Sequence, residues 1–370
     1  MNLKLIAILK SLLSVEGIGP RLLIKLIASF SNPENVLLAG VTDLITIFGI
    51  NEITAKKISS AKSNYRQQLK LTESELKNLT KIGANIITYY DDEYPEILKN
   101  TYAPPIILYT MGDTSLLKSK SIAIVGTRRP SRYGIRQAEK FSEELSKNGL
   151  TITSGLARGI DSAAHNSCLQ NNGKTIAVVG SGLDWIYPPE NKALFHNIAE
   201  NGLVISEYSL GTKPDGKHFP QRNRIIAGLS LGTVVVETKL SGGALNTASI
   251  ALSENREVFA IPGNLGVSTS EGTNKLIQKG EAKLVIRVED ILEELNLSVS
   301  TKTLSKPKID INSLNLFEQK ILEALTEEPQ HIDIIARNSG VNATDCSIHL
   351  LSLEFKGFVE QLPGKYFVLV

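Results

Sequence analysis

Ser121-Ile-Ala-Ile-Val-Gly-Thr-Arg-Arg-Pro-Ser-Arg-Tyr-Gly134 is the stretch on which the fold turns. Its first five residues, apolar after Ser121, read as a strand. Gly126 breaks the run, and a helical pattern over Arg136–Asn148 follows. Apolar runs that are continuous rather than alternating mark strands buried on both faces of a parallel sheet. The unit recurs downstream. Strands are predicted at Leu150–Thr153, Thr175–Val179, Leu203–Ser206, Thr233–Val236, Glu257–Ile261 and Lys283–Ile286, with helices between most of them, among them Asp161–Asn171 and Ala244–Asn255. Strand and helix alternating in this way specify the α/β class, a Rossmann-like doubly wound and mostly parallel sheet.

Ligands of such sheets bind beyond the carboxyl ends of the strands. Here those ends share a chemistry. Gly126-Thr-Arg-Arg-Pro-Ser-Arg-Tyr-Gly134, Ser154-Gly-Leu-Ala-Arg-Gly-Ile-Asp161, Gly180-Ser-Gly182, Glu237-Thr-Lys-Leu-Ser-Gly-Gly243 and Pro262-Gly-Asn264 are rich in small residues, and three of them carry Arg or Lys. Small residues admit a ligand close to the backbone, helix N-termini aim N–H groups at it, and cations supply charge. One glycine at such a turn is generic to the fold. Several turns carrying Gly, Ser or Arg together indicate a site for phosphates. The local charge agrees: 15 Lys and Arg stand against 10 Asp and Glu from Lys120 to Ser241, in a chain of 370 residues that has 40 against 38 in all.

Working outward, the flanks differ in texture. Residues 1–79 read as short helices joined by glycine turns. Val15-Glu-Gly-Ile-Gly-Pro-Arg-Leu-Leu-Ile-Lys-Leu26 and the looser Phe48-Gly-Ile-Asn-Glu-Ile-Thr-Ala-Lys-Lys57 fit either a helix-hairpin-helix pair or a SAM-like packing module. Residues 80–296 hold the sheet, after a strand-containing lead-in. Residues 297–312 have the Ser, Thr and Lys composition of a linker. Residues 313–370 give helices at Leu316–Leu325, Ile332–Asn338 and Ala343–Lys356. A strand pair at Val359–Leu362 and Tyr366–Val370 follows, turning at Pro363-Gly364, which is a winged-helix pattern. The third of those helices carries Asp345, His349, Glu354 and only one Lys, Lys356, so a protein-contact or vestigial role is favoured over DNA binding.

Exclusions follow from what is missing. The only cysteines are Cys168 and Cys346, which rules out a disulfide scaffold, a zinc ribbon and an iron–sulfur cluster. No run reaches the roughly 18 apolar residues of a membrane helix, and Lys10 interrupts the N-terminal apolar stretch without a cleavage site. A cytoplasmic protein with no membrane association is expected. Gly-x-x-x-x-Gly-Lys-[Ser/Thr] does not occur. Gly180-Ser-Gly182 begins a dinucleotide fingerprint, but Trp185 holds the third glycine's place. Asp161 and His165 share a helix face and read as a capping Asp beside an ordinary His. No catalytic residue, metal ligand or cofactor is expected.

Read together, these motifs resemble the DNA-processing protein A family (DprA, also called Smf). The matching strings are Ile124-Val-Gly-Thr-Arg-Arg-Pro-Ser-Arg-Tyr-Gly134, Ser154-Gly-Leu-Ala-Arg-Gly-Ile-Asp-Ser-Ala-Ala-His165, Tyr187-Pro-Pro-Glu-Asn191, Ser206-Glu-Tyr208, His218-Phe-Pro-Gln-Arg-Asn-Arg-Ile-Ile-Ala-Gly-Leu-Ser230 and Gly272-Thr-Asn-Lys-Leu-Ile277. The resemblance implies an extended Rossmann-like domain that binds single-stranded DNA without enzymatic turnover, protects incoming DNA in natural transformation, helps load the RecA recombinase, and forms a homodimer. It implies a DNA groove built from Gly126, Thr127, Arg128 and Ser131, extended to Arg158, Arg222, Arg224, Lys239 and Gly242. Tyr133 or Phe219 would stack on a base or serve as packing. Two departures remove positive charge: Ser241 and Gln221 stand where the family commonly has a base, and Lys239 is the nearby substitute for the first. The rivals are a nucleoside-monophosphate phosphoribohydrolase, whose Pro-Gly-Gly-x-Gly-Thr signature Ser241-Gly-Gly-Ala-Leu-Asn-Thr247 lacks, and a non-enzymatic scaffold.

Overall fold

The structure, a computed structural model, describes residues 2–297, 314–326, 329–356, 358–362 and 364–369. They form two compact units, one up to Leu297 and one from Leu314. The expected linker, apart from Leu297, lies outside the described residues, as does Pro363 of the expected turn.

The first unit opens with helices α1 (Leu3–Leu13), α2 (Pro20–Phe30), α3 (Pro33–Leu38), α4 (Val41–Leu44) and α5 (Glu52–Lys81). Side chains of Asn2, Asn32 and Asn51 accept N–H groups at the starts of α1, α3 and α5, satisfying donors that a helix start leaves unpaired. Gly17 and Gly49 turn the two hairpins at φ of 90° and 98°, a region side chains rarely adopt. Leu9, Leu12, Leu23, Leu26, Val36 and Ile58 fill the module's core with no exposed surface. The long helix α5 ends two residues beyond the expected boundary and ties the module to the sheet. Its Glu75 pairs with Lys10 of α1 and accepts the Tyr109 hydroxyl at 3.1 Å.

The chain continues through β1 (Ala84–Thr88), α6 (Glu96–Lys99), β2 (Ile107–Gly112), β3 (Ser121–Val125), α7 (Arg132–Lys147), β4 (Thr151–Ser154), α8 (Ile160–Gln170), β5 (Thr175–Val179), α9 (Lys192–Asn201) and β6 (Leu203–Ser206). Then come α10 (His218–Leu229), β7 (Gly232–Val235), α11 (Gly243–Ser253), β8 (Glu257–Ala260), α12 (Glu271–Gln278), β9 (Lys283–Leu284) and α13 (Glu289–Glu294). The sheet has nine strands in the order β1-β2-β6-β5-β4-β3-β7-β8-β9. Pairing is parallel from β6 to β9 and antiparallel where β2 joins β6 and β1 joins β2. Strands β3, β5 and β6 match their expected bounds, whereas β9 stops at Leu284. Phe141 and Leu145 of α7 pack with Ile160 and Ala164 of α8 on one face. Ile225 and Ile226 of α10 pack with Ala248 and Ala251 of α11 on the other. Truncating a core ring such as Phe141 to Ala costs about 3–5 kcal/mol in comparable interiors.

The strand order places the site. From β3 the chain winds outward to β6, and α10 then carries it back to lay β7 against the other side of β3. Such a reversal leaves a crevice between the carboxyl ends of the two strands flanking it.

The second unit contains α14 (Leu316–Ala324), β10 (Gln330–His331), α15 (Ile332–Ser339), α16 (Ala343–Phe355), β11 (Val359–Leu362) and β12 (Tyr366–Leu369), with the antiparallel order β10-β12-β11. A capping box between Asn315 and Glu318 starts α14, and Gly340 at φ 68° ends α15. Ile321, Ile335, Leu350, Leu353 and Phe367 form its core. This is the expected winged helix, with β10 as a strand the sequence reading did not include.

Candidate functional site

An open cleft of about 710 Å³ occupies the crevice between β3 and β7. Gly126, Thr127 and Arg128 line it from the end of β3. Thr238, Lys239 and Ser241 line it from the end of β7, Gly242 and Gly243 from the start of α11, and Phe219, Arg222 and Asn223 from α10. Gly126 answers a packing demand, since a Cβ there would lie 2.5 Å from Ile160 Cγ1 and 3.0 Å from the Glu237 carbonyl. The Thr127 N–H donates to that same carbonyl at 2.7 Å.

Glu237 organises this end of the sheet. Its buried carboxylate accepts the Ser131 N–H at 2.9 Å, the Ser131 hydroxyl at 2.6 Å and the Thr269 hydroxyl at 3.3 Å. The missing Cβ of Gly134 makes room for it. The loop bearing Arg128 is thereby fixed from beneath by a residue that the sequence reading did not single out. The available signal was an acidic residue closing an apolar strand among basic loops.

The structure distributes the expected residues unevenly. Gly126, Thr127, Arg128, Arg222, Lys239 and Gly242 meet at the cleft. Arg128 is exposed, and its guanidinium lies 5.3 Å from the Phe219 ring centroid, with Tyr187 on the same ring at 5.5 Å. Among the described residues neither Arg128 nor Lys239 forms an ion pair. Arg222, in contrast, is a buried part of the floor, where its Nη1 donates to the carbonyls of Gly155, at 2.7 Å, and Val178. Burial draws its pKa down to about 10 against the pull of Asp161. Ser131 stands outside the cleft lining and caps α7 through the Gly134 N–H at 3.1 Å. Arg158 pairs with Glu190, and Arg224 pairs with Glu207 and donates to the Ala103 carbonyl. Of the expected cations, Arg128 and Lys239 stand without an ion pair among the described residues, while Arg158, half-exposed and paired with Glu190, lines a smaller hollow with Arg128, Phe219 and Arg222. Arg222 and Arg224 are held by carbonyls and by Glu207 from distant segments.

Other expectations resolve in the same way. Gly159, not Asp161, occupies the cap position of α8. Asp161 lies in the first turn, where it accepts the N–H groups of Gly155 and Ala157 at 3.1 and 3.3 Å. Burial pushes its carboxyl up, opposed by Arg222 and those N–H groups. His165 is fully buried with Nδ1 2.6 Å from the Thr175 hydroxyl, and burial, aided by Arg222, pushes it down to about 3, so it is neutral. The Tyr133 hydroxyl donates to the Pro262 carbonyl at 2.8 Å, while Phe219 faces the cleft. Ser241 lines the cleft and Gln221 does not. Two open cations, a floor of small residues, an aromatic ring and the positive end of α11 suit an extended anion.

Residues 85–296 match the family described as DNA recombination-mediator protein A, residues 310–365 the DprA winged helix domain, and residues 9–61 a SAM-like helix-hairpin-helix tandem. The chain belongs to the DNA recombination-mediator protein A family. This family member is 37% identical over 387 residues to protein Smf of Synechocystis sp., covering 95% of each chain. It is 49% identical over 204 residues to the DNA processing protein DprA of Streptococcus pneumoniae, covering 55% of this chain and 72% of the relative. The solved structure of DprA from Streptococcus pneumoniae aligns with a TM-score of 0.68 at 38% identity, over 80% of this chain and 98% of that one. A DprA structure from Helicobacter pylori, solved to examine its single-stranded DNA binding mode, aligns with a TM-score of 0.52 at 33% identity, over 58% and 95%.

Proposed function

We propose that this family member binds single-stranded DNA in the cleft between β3 and β7, and that it serves DNA uptake and homologous recombination. Arg128 and Lys239 grip successive phosphates, Phe219 stacks on a base, and Gly242 at the start of α11 lets the backbone approach. The carrying observation is the open guanidinium of Arg128 held 5.3 Å from the Phe219 ring. It sets a phosphate clamp beside a base platform, the two groups that sequence-independent recognition of a single strand needs. Arg222 contributes charge from within the floor, its Nη1 held by the Gly155 and Val178 carbonyls. Arg158 and Arg224 join only by exchanging Glu190 and Glu207 for phosphates. Ser131 acts through its hold on Glu237.

The test is oligothymidine binding by R128A, followed by anisotropy at two salt concentrations. The expected result is about tenfold weaker binding at low salt, with a salt slope shallower by about 0.7. Unchanged affinity would remove Arg128 from the site.

The reading extends to a cytoplasmic homodimer that hands the strand to RecA, as the family resemblance implies. No helix among the described residues is long and apolar enough to cross a membrane. Leu240 and Leu252, exposed beside a groove between α11 and α12, offer apolar surface for a second copy. Sedimentation of L252E, expected as a monomer, checks this.

A further inference from the structure

We propose that the cleft continues into a second stacking step, formed by Trp185 and Lys213, which holds a base and phosphate of the same single strand beyond Phe219. The inference rests on the single-strand reading above. Trp185 is the only tryptophan of the chain and is 41% exposed, and the Lys213 ammonium sits 5.4 Å from its ring centroid. That arrangement repeats the Arg128–Phe219 pair at 5.3 Å. An indole left in water forfeits the burial that makes it a favourable core residue, and a flat aromatic face beside a cation is what an unpaired base seeks.

Continuity with the cleft is direct. Tyr187, two residues after Trp185, and Pro214, next to Lys213, both line the cleft. The platform is also held in place. The Trp185 N–H donates to the Gly182 carbonyl at 2.9 Å, and the Ser181 hydroxyl donates to the Trp185 carbonyl at 2.7 Å. The Gly182 N–H donates to the Thr212 carbonyl at 2.9 Å, and the Gly211 N–H donates to both Asp184 carboxylate oxygens at 2.9 Å. The two loops carrying Trp185 and Lys213 are thus clasped together before any ligand arrives. A side chain at Gly182 would break the clasp, because its Cβ would stand 2.6 Å from Asp184 Oδ1 and from the Ser209 carbonyl. Asp184, the acidic side chain nearest in sequence to the indole, accepts the Gly211 N–H, and among the described residues Lys213 forms no ion pair.

The experiment titrates the full chain at low salt with oligothymidines from about 3 to about 15 nucleotides. It reads Trp185 emission and, in parallel, the anisotropy of a labelled oligonucleotide. Short oligonucleotides are expected to bind without changing the emission, and longer ones to quench it. For the longer ones, W185A and K213A should each weaken binding about fivefold or more, and W185F should recover most of the loss. Binding at every length with emission unchanged overturns the second step and leaves the first reading intact. Equal weakening by W185A and W185F also overturns it, since a stacking role is kept by Phe. No anisotropy change at any length sinks the single-strand reading itself.

Discussion

The cleft of the sheet unit and the end of α16 in the winged-helix unit treat their basic side chains in opposite ways. At the cleft, Arg128 and Lys239 form no ion pair among the described residues. In the winged helix, Lys356 donates to both oxygens of the buried Glu318 at 2.8 Å, and the Ser352 hydroxyl donates to the same carboxylate at 2.7 Å. The helix that would enter a groove, α16, presents Ile348 and Leu351 to solvent, and residues 313–370 carry four Lys or Arg against eight Asp or Glu. A helix-turn-helix scaffold therefore says little about DNA, whereas the carboxylates around a base say whether its charge is free for phosphate. The comparison predicts that strand binding resides in the sheet unit alone.

The largest effect should come from removing both open cations. R128A/K239A is expected to lower oligothymidine affinity about a hundredfold and to flatten the salt slope by about 1.4. Anisotropy against salt measures both. A loss no greater than that of R128A alone would mean that Lys239 does not replace the base missing at Ser241.

Acid separates the two units next. The ordinary pKa of His165 is 6.5 and its folded value is about 3, so below 6.5 the unfolded chain takes up a proton that the native state refuses. The sheet unit should lose stability as pH falls from 6.5 toward 3. Asp161, raised by burial, titrates in the opposite sense, so the signature is the difference between wild type and H165Q. At Glu318 burial alone would raise the pKa, but Lys356, Ser352 and the Asn315 N–H outweigh it and bring it to about 2. Its contribution is therefore complete above 4.5 and disappears toward 2. E318Q should cost the winged helix about 2 kcal/mol at neutral pH and leave oligonucleotide affinity unchanged. Hydrogen exchange on the full chain reads each unit separately.

Glu237 gives a test of sign. Its carboxylate holds Ser131 beneath the loop that carries Arg128, so neutralising it would tighten binding if electrostatics alone counted. Gln offers one acceptor to the two donors of Ser131, so the Arg128 loop loses its anchor. E237Q is expected to bind about tenfold more weakly, and R128A/E237Q hardly worse than R128A, because both act through one loop. Tighter binding by E237Q would show that the anchor does not matter.

How much of this was legible depends on the reach of each interaction. Strands β3, β5 and β6 could be read because each is a short apolar run bounded by polar or glycine residues. Strand β2 could not, because its place rests on antiparallel pairing with β6, about 90 residues downstream, and no βαβ unit announces it. Gly126 to Arg128 was legible from its place at a strand end. The pairing of Arg158 with Glu190, 32 residues away, and the anchoring of Ser131 by Glu237, 106 residues away, depend on strand order, which local pattern does not carry. Arg222 looked like a groove residue because a string of bases cannot show which one the fold turns inward.

The smallest effect adds charge instead of removing it. Ser241 lines the cleft two residues from Lys239, exposed, and its side chain makes no hydrogen bond among the described residues. S241K should strengthen oligothymidine binding about threefold at low salt, steepen the slope by up to about 0.7, and lose that gain at high salt. I348K/L351K places two lysines on the exposed face of α16, a larger change in charge. If the cleft alone carries the strand, this pair should leave the affinity for a short oligothymidine where it was. If instead general positive charge is what matters, the winged-helix pair should match or exceed S241K, and the contrast between the units would fail at the point where it is easiest to measure.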